Sequence, residues 1–338
     1  MKTRFSYSLI IILAVTFFSV SPASGREKLP REVTVASVTL MSMFGSPNDP
    51  IGTTADERIE RVIERMKEAA EYNPDIICLP EVFVHTGLPN NPPAPETAED
   101  MSGPIVRRFA GFAHDHNCYV ICPMYTRHNG HVFNAAVLID RKGNVVGEYD
   151  KIHPTEGEIE GGITPGPVDP PVFKTDFGTI GMMICFDANW PDKWRRLKEK
   201  GAEIVFWPSA FAGGKMMNSL AISNRYYIVS STRYQPARLV DMTGEDIFGN
   251  GRLQPWFCTT INLDRKIFHW DYQGEKFNNI QAKYGNKIGY EIAHPEGWFI
   301  LESRSADVSI AEVAREFSLV GYDSYIKRAT AAQDKVRP

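Results

Sequence analysis

Gly181-Met182-Met183-Ile184-Cys185-Phe186-Asp187-Ala188-Asn189-Trp190-Pro191-Asp192 is the stretch that decides how this chain folds. A continuous apolar run leads into a cysteine, and a polar-aromatic turn follows at once. A short apolar run bounded by turn residues is the pattern of a buried strand. In open α/β sheets the chemistry collects at the carboxyl ends of strands, so Cys185 is a candidate nucleophile. Two earlier segments end the same way. Asp75-Ile76-Ile77-Cys78-Leu79 runs into Pro80-Glu81, and Val145 to Tyr149 runs into Asp150-Lys151.

The rest of the pattern extends outward from these runs. Val33 to Leu40 reads as a strand. Thr54-Ala55-Asp56-Glu57 has the form of a capping box, and Ile59, Val62, Ile63, Met66 and Ala70 recur behind it at helical spacing. Asn73-Pro74 stops that helix. Ile105, Phe109, Phe112 and Ala113 mark a second helix. Tyr119 to Met124 and Val132 to Ile139 read as strands, and the Arg141-Lys142-Gly143-Asn144 turn folds Val145 to Tyr149 back as a hairpin arm. Pro191 to Lys200 is helical, Glu203 to Trp207 a strand, Lys215 to Tyr226 a helix, and Ile228 to Thr232 and Phe257 to Leu263 strands. This mix of βα units and hairpins predicts one α/β domain with a large mixed sheet or two packed sheets. Leu88 to Pro95 is Pro-rich and reads as a rigid loop over the site. From Asp264 the pattern turns irregular and aromatic, so residues 264–338 are expected to be an extension packed on the core or on a second subunit.

The composition is that of a globular chain: 338 residues, 43% hydrophobic and 23% charged. The first 25 residues stand apart from it. Met1-Lys2-Thr3-Arg4 is basic, Leu9 to Val20 is mostly apolar, and Ser21-Pro22-Ala23-Ser24-Gly25 is small. That order predicts a secretory signal peptide over residues 1–25, and a soluble exported protein, secreted or periplasmic, with residues 26–263 as its main domain. Cleavage would remove two of the 37 basic residues and none of the 41 acidic ones, taking the formal net charge from -4 to -6. An acidic chain without a Lys/Arg-rich run is not built to bind phosphate backbones, and no membrane partner is expected after cleavage. Cys78, Cys118, Cys122 and Cys258 sit in apolar surroundings and read as small core residues, although exported proteins can form disulfides. Cys118 and Cys122 lack the second Cys or His pair of a zinc site. No metal or organic cofactor is expected.

Glu81, Lys151 and Cys185 are together the groups that amide attack needs. Taken singly, Glu81 and Lys151 suit a solvated turn and Cys185 suits the core; their order and flanks join them. A thiol is mostly protonated at neutral pH and must be activated. Glu81 can take its proton and return it to the departing amine. Lys151 can meet the oxyanion, helped by the backbone N–H of Phe186. A second carboxylate can orient the leaving nitrogen or the hydrolytic water. His153, close to Lys151, reads mainly as structural.

The flanks of these residues resemble the nitrilase superfamily of carbon–nitrogen hydrolases over roughly Thr34 to Leu263. Pro80-Glu81-Val82-Phe83 is similar to its glutamate motif. Val132-Phe133-Asn134-Ala135-Ala136, the Asp140 to Gly143 turn and Tyr149-Asp150-Lys151-Ile152-His153 resemble the run into its lysine motif. Gly166-Pro167 stands where the family has a Pro-Gly turn, and Gly181 to Asp192 resembles its cysteine motif. The resemblance implies a four-layer αββα sandwich that forms a homodimer or higher homo-oligomer. It makes Glu81 the base, Lys151 the oxyanion lysine, Cys185 the nucleophile, and Glu158 the second glutamate, with Glu156 as the fallback. Phe186-Asp187 replaces the Trp-Glu of true nitrilases, which favours an amide or N-carbamoyl substrate over a nitrile. Asn189 replaces an arginine that many members carry, removing a grip on a substrate carboxylate. Phe186, Asn189 and Trp190 are candidate substrate contacts. The aromatic cluster of Trp190, Trp207 and Phe211 fits either the acyl pocket or the core. The expected activity is hydrolysis of a small amide or carbamoyl substrate through a Cys185 thioester. Acyl transfer, nitrile hydrolysis and a catalytically silent scaffold are the alternatives.

Overall fold

The apolar runs pair into two six-stranded sheets. The computed structural model describes residues 28–40, 52–90, 92–233, 236–250, 254–292 and 295–338. The expected signal peptide, residues 1–25, lies outside the described residues. In the first sheet the spatial order is Trp256–Asn262, Glu32–Val38, Ile76–Cys78, Tyr119–His128, His131–Ile139 and Val145–Asp150. In the second it is Asp246–Gly249, Arg238–Val240, Tyr227–Thr232, Ile204–Ser209, Thr179–Met182 and Val172–Lys174. Parallel pairs lie at the centre of each sheet and antiparallel pairs at the edges.

The sheets pack face to face. Val33, Val35, Ile121 and Leu138 of the first share one core with Met182, Phe206 and Val229 of the second. Helices Ala55–Ala70 and Pro104–Asp115 cover the outer face of the first sheet through Val62, Met66, Phe109 and Phe112. Helices Pro191–Glu199 and Lys215–Asn224 cover the second through Trp194, Leu197, Met217 and Leu220. The result is the αββα sandwich, its near-continuous apolar strands buried on both sides. Side chains tie the sheets where they cross: Ser37 donates to the Ser230 carbonyl at 2.7 Å and Ser231 to the Val38 carbonyl at 2.6 Å.

Several elements were not legible beforehand. The Val172–Lys174, Arg238–Val240 and Asp246–Gly249 strands are short edge additions. Residues after Asp264 are not irregular: Arg265–His269, Trp298–Ser303 and Ile288–Glu291 form a third, antiparallel sheet. Phe268, Phe277, Ile280, Phe299 and Val313 build its own small core. The unit rests on the main body. Asn262 donates to the Ser303 carbonyl at 2.7 Å, Arg265 to Asp241 at 2.9 Å, and Arg225 to Asp323 at 2.6 Å.

The turn after Ile76–Cys78 is held from behind by a buried arginine. Helix Ala55–Ala70 begins with the expected capping box, Glu57 N–H donating to Thr54 Oγ1 at 3.2 Å. One residue on, Arg58 is almost fully buried and donates to the carbonyls of Gly52, Thr86 and Gly87. It also reaches the buried Phe83 carbonyl at 3.5 Å; removing the guanidinium would strand that acceptor and loosen the more exposed ones, and an orphaned buried acceptor costs about 1–3 kcal/mol. Arg58→Ala is therefore expected to lower the unfolding free energy by about 3 kcal/mol. Urea titration checks this, and a change under 0.5 kcal/mol would show that the clamp is not needed.

Candidate active site

The carboxyl ends of strands from both sheets meet at one end of the sandwich. Glu81 follows Ile76–Cys78 and Lys151 follows Val145–Asp150 in the first sheet. Cys185 follows Thr179–Met182, and Arg233 follows Tyr227–Thr232, in the second.

Glu81 and Lys151 are each 1% exposed. Charges this deep need partners, and each has several. Lys151 Nζ donates to Glu81 Oε1 at 2.9 Å and to Glu158 Oε1 and Oε2 at 2.9 and 2.7 Å. Asn134 Nδ2 bridges the same two carboxylates, at 2.9 Å to Glu81 and 2.7 Å to Glu158. Arg233 Nη2 donates to Glu81 Oε2 at 2.9 Å. Burial favours a neutral Glu81, but the Lys151 and Arg233 charges and the Lys151 and Asn134 hydrogen bonds outweigh it and hold the carboxyl at about 2. Burial likewise opposes charge on Lys151, yet Glu81 and Glu158 keep its ammonium above the usual lysine range.

Glu158, rather than Glu156, reaches Lys151. The local sequence sets this. Thr155 caps the short helix Glu156–Glu160, and Glu158, at its third position, returns the capping bond to Thr155 N–H at 2.8 Å. The same carboxylate thus caps the helix and receives the ammonium, while Glu156 is exposed. The Pro-rich segment ends beside this helix, where Ala94 packs with Val132 and Ile163. Gly166 sits against the strand end that carries Lys151. A Cβ there would collide with the Asp150 carbonyl and lie 2.8 Å from Asp150 Cβ, so the family-like Gly-Pro turn answers a close backbone approach.

Cys185 opens a 3₁₀ turn, Cys185–Asn189, with φ of 44°. That left-handed conformation is strained for a residue with a side chain. Val82, directly after Glu81, is strained likewise at 39°. Asp187 fixes the elbow from within. It is fully buried and accepts from Ile184 N–H at 3.0 Å, Tyr149 Oη at 2.7 Å and His153 N–H at 2.9 Å, and its Oδ1 lies 2.9 Å from His153 Nδ1. Trp194 Nε1 donates to the Asp187 carbonyl at 3.0 Å and Trp207 Nε1 to the Cys185 carbonyl at 3.1 Å. Burial first, then the Glu81 charge, push the Cys185 thiol up to about 11. Lys151, the Ala210 N–H and the Ser209 hydroxyl work the other way.

The remaining candidates take different places. Trp207 is fully buried behind the nucleophile and meets Phe211 edge-on at 5.2 Å. Phe186 is exposed and packs edge-on against Trp190, which stacks flat on His153 at 3.8 Å. Asn189 donates back to the Phe186 carbonyl at 2.9 Å and brings no charge to the site. Asn134, Asp187, Ser209 and Arg233 had not been singled out as site residues. Arg233 carried the signal that picked out the others, a polar residue just past an apolar strand. All five cysteines are free thiols.

Comparison with known proteins gives the family and the fold. The family described as carbon–nitrogen hydrolase matches residues 34–265. A citrullinase from Francisella tularensis is 25% identical over 270 residues, covering 68% of this chain and 94% of the relative. A beta-ureidopropionase from Arabidopsis thaliana is 32% identical over 151 residues, 41% of this chain and 37% of the relative. The crystal structure of an amidase from Nesterenkonia sp. shares the fold, with a TM-score of 0.58 at 17% identity over 73% of this chain and 95% of that one. The chain belongs to the carbon–nitrogen hydrolase family and is a hydrolase of carbon–nitrogen bonds other than peptide bonds.

Proposed function

We propose that the chain hydrolyses a small primary amide or N-carbamoyl compound through a thioester on Cys185. The observation that carries this reading is the buried Lys151 ammonium, bonded to Glu81 and Glu158 and electrostatically linked to Cys185. The Cys185 sulfur attacks the carbonyl carbon while its proton passes to the Glu81 carboxylate. The oxyanion that forms is met by Lys151 and the Phe186 N–H. Glu81 then protonates the departing nitrogen, the C–N bond breaks and a thioester remains. Water attacks it, Glu81 takes the water's proton and passes it to the departing sulfur, and the thiol leaves as the acid product forms.

Charge bookkeeping supports these roles. Glu81 and Glu158 balance Lys151 and Arg233 at rest. Proton transfer to Glu81 removes one negative charge as the oxyanion supplies another, so the buried site never gains net charge. For the substrate, the named citrullinase and beta-ureidopropionase relatives favour a carbamoyl group. The Phe186-Asp187 and Asn189 departures speak against nitriles and against a carboxylate gripped at position 189. The basic, apolar and small-residue order of residues 1–25 supports export. Expression in a bacterial host should give a periplasmic chain beginning after Ala23 or Gly25, and an intact Met1 on N-terminal sequencing would exclude it.

Incubation with amides, N-carbamoyl amino acids and nitriles, followed by ammonia release, tests the reaction. Ammonia is expected from amides or carbamoyl compounds, with Cys185→Ala at least about 10⁴-fold slower and still folded. Full turnover by that variant would sink the mechanism. The thiol offers a second check. Because its pKa is raised to about 11, exchange with a neutral aromatic disulfide should accelerate as pH climbs from 7 towards 11. Glu81→Gln removes a charge that raises this pKa, so the profile should move to lower pH while hydrolysis drops about 10²–10⁴-fold. An unmoved profile would mean that Glu81 does not act on the thiol.

A further inference from the structure

A second group of ionisable side chains lies on the outer, helix-covered face of the first sheet. His128 Nε2 is 3.2 Å from Glu148 Oε1, and 3.2 and 3.4 Å from the two Asp150 oxygens. One ligand atom from each of the three residues falls within 4.8 Å of the others. Strand alternation explains the meeting. Thr126 pairs with Phe133 and Asp150 with Ala135, so positions 126, 128, 148 and 150 share one face. His128 is braced there by stacking on Phe133 at 4.3 Å.

Two observations favour a cation over a plain ion pair. Charge-assisted N–H···O bonds close to about 2.7–2.9 Å, and every separation here is longer. Ligands at about 2.0–2.1 Å around a tetrahedral Zn²⁺ stand roughly 3.4 Å apart, close to the 3.2 Å that separates His128 Nε2 from each carboxylate. Independently, Thr126 Oγ1 and Glu148 Oε2 are buried atoms without hydrogen-bond partners. Thr126 is only 1% exposed, and its hydroxyl faces the Glu148 carboxylate. The Glu148 and Asp150 side chains, 12% and 8% exposed, place two carboxylates against one imidazole. A divalent ion offsets that surplus, and a water on it would satisfy both orphan oxygens.

We propose that His128, Glu148 and Asp150 form a divalent-metal site of the zinc class, completed by a water held by Thr126 and Glu148. Its role is structural. The site faces away from Tyr149, whose hydroxyl points to Asp187, and it pins the strand end from which Lys151 emerges. The search for paired Cys and His spacings passes over it, because its ligands come from two strands of a sheet.

The test uses the full chain carrying Cys185→Ala, so that the catalytic thiol cannot be a ligand, after chelator treatment. Titration with Co²⁺ should give one ion per chain with the strong visible absorption of four-coordinate cobalt, displaced by Zn²⁺. Saturating Zn²⁺ should raise the melting temperature by about 3 °C or more. Adding Glu148→Gln or His128→Ala should weaken binding at least tenfold with near-UV circular dichroism unchanged. A chain that shows neither cobalt spectrum nor thermal shift holds an ordinary His–carboxylate pair, and the proposal fails. Binding that persists undiminished in both variants also overturns it. None of these readouts depends on the substrate or on turnover.

Discussion

The buried Lys151 ammonium is the constraint around which the site is arranged. A positive charge in a dry sandwich interior is tolerated only with carboxylates in contact, and Glu81 at 2.9 Å and Glu158 at 2.7 Å supply them. Those carboxylates need donors in turn, which Asn134 and Arg233 provide. Four segments that are distant in sequence are therefore locked together by electrostatic necessity. The same lock keeps Glu81 ionised, while burial and the Glu81 charge favour the protonated form of the neighbouring Cys185 thiol.

Asp187 does for the nucleophile what Glu81 does for the lysine. It joins the elbow, the Tyr149 hydroxyl and the His153 backbone, so the turn bearing Cys185 and the segment after Lys151 are fixed to one carboxylate. Tyr149 belongs to the first sheet, and Cys185 follows the Thr179–Met182 strand of the second. The distance between Lys151 and Cys185 is thus set across the sheet interface by a short chain of hydrogen bonds rather than by either sheet alone.

Legibility in the sequence followed this division. Glu81 and Cys185 stood out because each ends an apolar run, which reports burial directly, and Lys151 because it ends a hairpin arm. Glu158 was reachable only through the family-like spacing, since nothing local separates it from Glu156 except its place in the capping box with Thr155. Asn134 and Asp187 were invisible as site residues because their roles exist only across strands. The central strands were read nearly to the residue. The edge strand Asp246–Gly249 is exposed along its whole length, and its Ile247-Phe248 pair is too short an apolar run to mark a strand. The sheet after Asp264 was missed because its strands are short and its aromatic residues fill a small core that mixes strand and helix contributions.

The left-handed backbones of Val82 and Cys185 carry a consequence for how the molecule assembles. Each conformation costs on the order of 1–2 kcal/mol in an isolated peptide, so neither turn forms by local preference. Both are imposed by finished surroundings: Arg58 gripping the carbonyls beyond Val82, Asp187 accepting from the Ile184 N–H, and Trp207 donating to the Cys185 carbonyl. Reactive geometry is then a cooperative property, acquired late in folding and surrendered early on partial melting. A nascent or loosened chain presents an inert thiol, and catalytic competence becomes a report on the completed tertiary structure.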